Sequence, residues 1–373
     1  MQEIIITAPS LDPNRNVSGV SSVVNFIINN NKERKYLHFQ LGKMDGENGG
    51  WRRIGALVGA LRAWKRMLAE HSDAMVHYSF PLSTLSILRD SLFMREVQKK
   101  GMKLVVHIHG GVFLTAPKIP LLLWRILMGV FSWKVPFIVL SDKEKEILQN
   151  RFGAKDVQVL PNCVDLSDAR SFERKISELP LTLGYLGRIE PNKGMTELLG
   201  ACIKLKKDRI PFRLAVAGKE QTVDEFLPYF DQCLGDDFYY AGLVSVMTKA
   251  DFLRSVDVFV MPTYFEGLPM SLLECMSYGS VPVVTNVGSI ADVVTPYEDK
   301  NINKEANGIF VKVRDEDSIV KAIKLLHEDR GLTQQLSEAA KRRIFSQFSS
   351  EKYVETLNEI YAKCQMGNWR ANV

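Results

Sequence analysis

Cysteine is scarce. The five among 373 residues stand at 163, 202, 233, 275 and 364, with no close pair and no metal-ligand spacing. That leaves no disulfide framework and no cysteine-based zinc site, and it makes a reducing cytosol the expected setting. Missing too is an apolar run of the roughly 20 residues that a bilayer span takes. The strongest run, residues 119–131, is 13 long and is interrupted by Arg125, so it is not expected to span. Residues 1–9 pass straight into an apolar strand pattern with no basic segment ahead of a long apolar stretch, so no signal peptide is expected. The first strand is followed by PSLDPNRNVSG, not by the Gly-x-Gly-x-x-Gly of a nicotinamide-dependent dehydrogenase. Acids are absent from two long stretches. Residues 48–69 hold five basic residues (Arg52, Arg53, Arg62, Lys65, Arg66) and residues 97–141 hold six without a single Asp or Glu until Asp142.

What is present is ordinary for a folded chain: 46% hydrophobic and 24% charged residues. That balance excludes a disordered or collagen-like protein. The length exceeds one usual compact core, which argues for two domains. The net charge of +5 hides an asymmetry, because residues 1–180 carry 25 basic and 17 acidic side chains against 23 and 26 in the remainder. A basic first half fits an anionic partner: a membrane surface, nucleic acid or a phosphate-bearing substrate.

Short apolar runs alternate with helical patterns almost throughout, the signature of parallel sheets covered by helices. Strands are expected at 3–8, 74–78, 103–108, 137–140 and 157–160, then at 181–186, 213–217, 238–240, 258–261, 281–285 and 308–311. Two consecutive sets of this kind imply an α/β protein of two Rossmann-like, doubly wound domains. The polar stretch 162–180, with alternating charge and a closing proline, reads as the linker. In WRRIGALVGALRAWKRMLAE (51–70), apolar residues recur at Ile54, Leu57, Val58, Leu61, Trp64 and Leu68 with basic residues beside them. That pattern suits a helix lying on an anionic surface, and equally an ordinary helix covering a sheet.

The strongest chemical signal is YFEGLPMSLLECMSYG (264–279). It follows a buried strand and opens a helix, with Pro269 suited to the first turn. Free backbone N–H groups near Met270 and Ser271 offer a seat for a phosphate. Glu266 in the approach loop and Glu274 on the helix then flank that anion and can accept hydrogen bonds from sugar hydroxyls. The plain alternative is two surface acids beside a helix start, which the Gly267, Pro269 and Gly279 framing weakens. A second signal is YLGRIEPNKG (185–194), where a strand ends and a loop presents Arg188 and Lys193 ahead of a helix. Over a diphosphate, Arg188 offers a bidentate clamp and Lys193 a point charge. Such cations stabilise a departing nucleoside diphosphate without a metal. Asp315 and Asp317 have the spacing of an Asp-x-Asp triplet but fall in an expected surface turn and read as solvated charge; no metal site and no cofactor is expected.

These segments resemble the retaining GT-B glycosyltransferases, in particular glycosyltransferase family four (group one). The stretch 264–279 resembles that family's pair of glutamates separated by seven residues, and YLGRIEPNKG its phosphate-binding turn. LPNCVD (160–165) is similar to its inter-domain element, with Cys163 where glycine is usual. The stretch through Val244 to SVDVFVMP (255–262) matches the approach to the nucleotide base, and VPVVTNVG (281–288) the strand and turn after the glutamate helix. In the first half Ser18-Gly19-Val20 stands where the family has a glycine pair, which leaves Gly19 as the donor contact. In LVVHIHGG (104–111), His109 aligns with the family's active-site histidine, and His107 is expected on the opposite side of the strand. FSSEKYVETLNEIYAKC (348–364) resembles the last helix, which returns to the first domain.

The resemblance implies a GT-B fold, with two Rossmann-like domains facing a central cleft. The expected division is an acceptor-binding domain at 1–165, completed by about 349–373, and a nucleotide-sugar domain at 166–348. It also implies a hexosyltransferase that retains anomeric configuration. Glu274 would bind the ribose and Glu266 the transferred sugar. The backbone from Gly267 through Leu268 and Met270 to Ser271, with Arg188 and Lys193, would hold the diphosphate. His109 would contact the donor sugar. The expected donor is a UDP-sugar, with GDP-mannose second. The expected acceptor is a glycan or lipid-linked sugar of bacterial surface polysaccharide or lipopolysaccharide synthesis. The enzyme would be cytoplasmic, peripheral on the inner leaflet through Arg52, Arg53, Arg62, Lys65 and Arg66, with no nucleic-acid partner. Two other readings share parts of this pattern: a GT-B sugar-nucleotide epimerase or hydrolase, and a non-catalytic membrane-surface module.

Overall fold

The computed structural model describes residues 2–12, 18–42, 52–177, 180–220, 226–244, 246–298 and 305–367, with the backbone alone at 52–55, 246 and 247. The chain divides into two compact units, Met1–Asn162 with Glu351–Val373, and Cys163–Ser350.

The first unit runs β1 (Glu3–Ala8), α1 (Gly19–Asn30), β2 (Lys35–Gln40), α2 (Arg52–Glu70), β3 (Met75–Ser79), α3 (Thr84–Lys99), β4 (Leu104–His107), α4 (Val112–Thr115), α5 (Leu121–Phe131), β5 (Phe137–Val139), α6 (Asp142–Phe152) and β6 (Val157–Val159). Its six strands are parallel in the order β2-β1-β3-β4-β5-β6. Strands β3, β4 and β5 are buried along their whole length, and a continuous apolar run is what burial on both faces demands. The sequence reading overlooks β2 for the opposite reason. KYLHFQ lies at the sheet edge, only half-buried, and so lacks such a run.

Local signals set the helix ends. Ser141 Oγ accepts from Glu144 N–H at the start of α6, Glu144 itself accepts from Leu140 N–H, and Gly153 closes the helix at φ 73°. That is an N-cap and a left-handed C-cap. On α2, Trp64 and Leu68 are fully buried and Leu57 and Leu61 pack against the same core. Trp64 Nε1 donates to Phe93 O at 2.9 Å. Of the two readings of that apolar stripe, covering the sheet is the one observed. Ile54 lies among the residues whose side chains are outside the description.

The second unit runs α7 (Ser167–Arg170), β7 (Leu181–Leu186), α8 (Met195–Lys207), β8 (Phe212–Ala217), α9 (Phe226–Leu234), β9 (Phe238–Gly242), α10 (Val246–Ser255), β10 (Val258–Met261), α11 (Met270–Ser277), β11 (Val281–Thr285), β12 (Ile309–Val311), α12 (Glu316–Glu328) and α13 (Arg330–Gln347). The parallel order is β12-β11-β10-β7-β8-β9, the 3-2-1-4-5-6 order of a dinucleotide-binding sheet. The segment expected as a linker packs onto this unit. Arg174 is buried and donates to Asp257 and to the carbonyls of Leu253 and Tyr278. A buried guanidinium needs such partners, which anchors the chain here although its polar composition reads as loop.

Helix α14 (Ser350–Met366) follows, and from Glu351 on it belongs with the first unit. Tyr353, Leu357, Ile360, Tyr361 and Cys364 form its buried face, and the Phe26 and Tyr353 rings meet edge to face at 5.6 Å.

Candidate active site

In the second unit the strand order reverses between β7 and β10. Open α/β sheets bind ligands at the carboxyl ends of the strands at such a point. Both signature loops leave from it, one after β7 and one after β10. They are stitched together: Tyr264 N–H donates to Asn192 O at 3.0 Å, and Thr263 Oγ1 donates to the same carbonyl at 3.4 Å. Gly194 has φ 76°, and a Cβ there would lie 2.2 Å from Pro262 O, so the β7 loop can approach the end of β10 only without a side chain. At Gly288 (φ 58°) a Cβ would lie 2.0 Å from Glu266 O, and Ser289 N–H donates to Gly267 O at 3.0 Å. The peptide that carries Glu266 is therefore clamped from below.

Lys193 Nζ lies 2.5 Å from Glu266 Oε1, with both side chains more than four-fifths buried. Arg188 Nη1 and Glu190 Oε1 make a longer pair, 3.5 Å, with Arg188 40% exposed. Tyr185 fixes the loop beneath by donating to Arg188 O at 2.6 Å; burial, then the Glu266 charge, pushes its phenol well above its ordinary value. Glu274 is also paired, with Lys249 Nζ on α10 at 3.0 Å. Sequence reasoning missed Lys249, which no spacing rule connects with α11. Tyr264 donates to Glu197 Oε1 at 2.6 Å, and the Arg314 guanidinium lies 4.8 Å over its ring.

Met270 and Ser271 open α11, half-buried, with first-turn N–H groups that no helix can satisfy internally. The Leu268 side chain is buried, so this residue can offer a ligand only its backbone. Val244 is half-buried just before α10, the helix that carries Lys249. Asp315 caps α12 through Ser318 N–H, and Asp317 pairs with Lys204 at 2.6 Å. The second unit thus gathers Arg188, Lys193, Glu266, Gly267, Leu268, Met270, Ser271 and Glu274 around one switch point.

Gly19 and His109 lie in the first unit. Ser18 is the N-cap of α1, accepting from Ser21 N–H at 3.2 Å, which gives the serine a reason to stand in place of glycine. Gly19 is the first helical residue, and a Cβ there would meet nothing. His109 follows β4 by two residues. The expectation that His107 faces the other way is wrong: the two rings lie 4.0 Å apart between centroids with planes 31° apart. Residues two apart on a strand share a face. Burial keeps all three neighbouring imidazoles neutral, lowering His77 and His109 to about 3 and His107 well below its ordinary value. Neither ring nitrogen of His109 has a hydrogen-bond partner among the described residues.

Arg62, Lys65 and Arg66 are exposed on α2, Lys65 facing Glu96 at 3.4 Å. The side chains of Arg52 and Arg53 lie outside the described residues.

The second unit thus carries a switch-point site with cations beside carboxylates at the strand ends. Residues 167–343, nearly all of the second unit, match the family described as Glycosyl transferases group 1. The second unit is a group 1 glycosyltransferase domain. The chain is 23% identical over 253 residues to a glycogen synthase of Mycobacterium tuberculosis, an alignment covering 65% of this chain. It spans 58% of that relative's length. It is 25% identical over 284 residues to the UDP-Gal:alpha-D-GlcNAc-diphosphoundecaprenol alpha-1,3-galactosyltransferase of Escherichia coli, covering 70% of this chain and 69% of that enzyme. Among solved structures, the sucrose-phosphate synthase of Thermosynechococcus elongatus superposes with a TM-score of 0.77 at 16% identity, over 97% of this chain and 99% of that one. The fold is thus the GT-B fold of such enzymes.

Proposed function

We propose that this chain transfers a hexose-type sugar from a nucleoside diphosphate sugar to a glycan or lipid-linked acceptor, with retention of configuration and without a metal ion. The observation that carries the proposal is the pairing of both motif carboxylates with lysines at the switch point, Glu266 with Lys193 and Glu274 with Lys249. In this reading the diphosphate takes the N-terminus of α11 together with Arg188 and Lys193. Glu274 accepts from the ribose hydroxyls and Glu266 from those of the transferred sugar. The acceptor oxygen bonds to the anomeric carbon on the face from which the phosphate oxygen leaves. The acceptor's proton passes to that phosphate oxygen, and Arg188 and Lys193 stabilise the charge on the departing diphosphate. Acceptor recognition falls to the first unit.

A UDP-sugar is the favoured donor, with GDP-mannose second. The name of the Escherichia coli relative, a UDP-Gal enzyme acting on a diphosphoundecaprenol acceptor, supports both the base and a lipid-linked acceptor. A peripheral position on the inner leaflet fits the outer surface of the first unit. Helix α3 touches both α2 and α5; α3 exposes Leu85, Leu88 and Leu92, and α5 exposes Leu121 and Leu122. Arg62, Lys65, Arg66 and Arg125 are exposed on the flanking helices. Among the described residues no helix is long and apolar enough to cross a membrane. Basic residues near an anionic leaflet contribute about 1 kcal/mol each.

The test is a thermal-shift panel of UDP, GDP, ADP, CMP and NAD without added metal, repeated with a chelator. A selective shift from one nucleoside diphosphate that survives chelation is expected. A shift from NAD alone, or none from any of them, refutes the donor-site reading.

A further inference from the structure

Among the described residues, two that are not glycine hold a left-handed backbone, and both are arginines: Arg209 at φ 57° and Arg314 at φ 59°. A residue with a Cβ adopts that region at a cost that glycine avoids. Arg209 has a local reason. It closes α8, with its N–H donating to Lys206 O at 3.1 Å and Ile210 N–H donating to Leu205 O at 3.0 Å. That double closure ends many helices and takes a left-handed residue. Arg314 has no helix end to close. It lies between β12 and Asp315, the N-cap of α12. Strain kept without a local cause points to a contact elsewhere.

That contact is Tyr264, whose ring lies 4.8 Å beneath the Arg314 guanidinium. The phenol is held from its other end by Glu197 Oε1 at 2.6 Å, and there the tyrosine must be the donor, because a carboxylate only accepts. Glu197 Oε2 is buried with no partner among the described residues, and a buried oxygen left unpaired is costly. Both grips on this one side chain therefore cost stability, as features kept for function do. The main chain of Tyr264 is held as well, by Asn192 O at 3.0 Å. Three segments remote in the sequence thus meet on it: the loop after β7, helix α8 and the turn after β12. The parallel strands β7, β10 and β12 end at one edge of the sheet, the edge of the two signature loops. Tyr264 stands two positions before Glu266, and Glu266 lies against Lys193, the chain neighbour of Asn192. Fixing Tyr264 fixes the start of the loop that presents Glu266.

We propose that Arg314 and Tyr264 are positioning residues: the strained arginine caps the tyrosine ring, and the tyrosine so held sets the Glu266 carboxylate where a sugar hydroxyl meets it. The part played by Glu266 rests on the transferase reading; the grip on the loop does not.

The experiment compares wild type with Arg314→Gly, Arg314→Lys, Tyr264→Phe and, as a control for relieved strain, Arg209→Gly. Melting temperature, hydrogen exchange at the Tyr264 amide, turnover, and affinity for the nucleoside diphosphate selected by the thermal-shift panel are measured on each. Arg209→Gly should melt about 2–4 °C higher, with exchange and turnover unchanged. Arg314→Gly loses the same strain and should melt no lower than wild type. Its Tyr264 amide should nevertheless exchange about two- to fivefold faster, the worth of one exposed cation–π contact. Turnover should fall by a similar factor, with nucleotide affinity unchanged. Arg314→Lys keeps a cation above the ring and should keep most of the turnover. Tyr264→Phe loses the bond to Glu197, and its turnover should fall about tenfold or more. Wild-type exchange at Tyr264 in Arg314→Gly, or a lower melting temperature, overturns the grip. Faster exchange with unchanged turnover overturns the positioning of Glu266, as does a loss of nucleotide affinity as large as the loss of turnover, or an equal loss of turnover in Arg209→Gly. If wild type transfers no sugar, the transferase reading fails by itself, and exchange and melting alone uphold or overturn the grip.

Discussion

The pair Lys193–Glu266 yields a prediction in which two partners of one ion pair behave with opposite sign. Lys193 Nζ is 2.5 Å from Glu266 Oε1, and neither side chain is more than 18% exposed. A diphosphate at the start of α11 draws Lys193 away from that carboxylate. The lysine–phosphate contact is a hydrogen bond between charged groups, worth about 1.5–3 kcal/mol. Part of that is offset by the pair given up, so the lower end applies, and Lys193→Met should raise the Kd for nucleoside diphosphate about tenfold. Glu266→Gln does the reverse at the ground state. It frees Lys193 and removes a negative charge next to the incoming diphosphate, so Kd should stay level or fall.

Turnover separates the two further. Glu266 is assigned to the transferred sugar, which free nucleoside diphosphate lacks. Losing a charged acceptor for a sugar hydroxyl costs roughly 1.5–3 kcal/mol, so kcat should drop by about 10- to 150-fold in Glu266→Gln. Titration calorimetry with the nucleotide that gives the largest thermal shift measures the first effect, and steady-state kinetics with its sugar nucleotide the second. Melting curves of both variants show that each is folded. If the two substitutions weaken nucleotide binding equally, or Lys193→Met leaves Kd unchanged, the placement of the diphosphate beside Lys193 is refuted.

Lys249 orients Glu274 at 3.0 Å, so Lys249→Met should weaken a ribonucleoside diphosphate several-fold more than its 2′,3′-dideoxy analogue; equal losses would assign the pair to stability instead. The first unit should be acid-labile. His77 and His109 titrate near 3 in the folded protein, chiefly through burial, against about 6.5 unfolded. The unfolded chain then binds more protons between those values, so stability is full above about pH 6.5 and falls as pH drops below it, by about 2 kcal/mol per histidine at pH 5. Urea titrations at pH 7.5 and 5 measure this, and His77→Gln should flatten the difference; a pH-independent midpoint would refute it. Reversing Arg62, Lys65 and Arg66 to glutamate should reduce co-sedimentation with anionic vesicles while sparing nucleotide binding. Unchanged sedimentation would leave α2 with no role beyond covering the sheet.

How far these features could be read from the sequence follows from how local each one is. Central strands such as β4, β10 and β11 are buried on both faces, so their apolar runs are visible in a few residues. The edge strand β2 is half-solvated and leaves no such run. The loops after β7 and β10 are legible one at a time, because each combines a strand end, glycines and charge within about ten residues. That they lie side by side depends on strand order, which no local pattern encodes. Lys249 meets Glu274 across 25 positions and two helices, and its own surroundings carry no signal.

The histidine edge shows the same limit from the other side. Two residues of separation already place His107 and His109 on one face, and strand periodicity alone was enough to say so. Their support was not available locally: Tyr361 stands 284 residues after His77. The return of α14 to the first unit therefore does more than cover β-strands with apolar side chains. A helix of Val, Leu and Ile alone could bury the same surface, but it would leave the buried His77 Nδ1 without its hydrogen-bond partner, at a cost of about 1–3 kcal/mol. Tyrosine at 361 meets both demands at once, with a ring for the core and a hydroxyl 2.6 Å from His77 Nδ1.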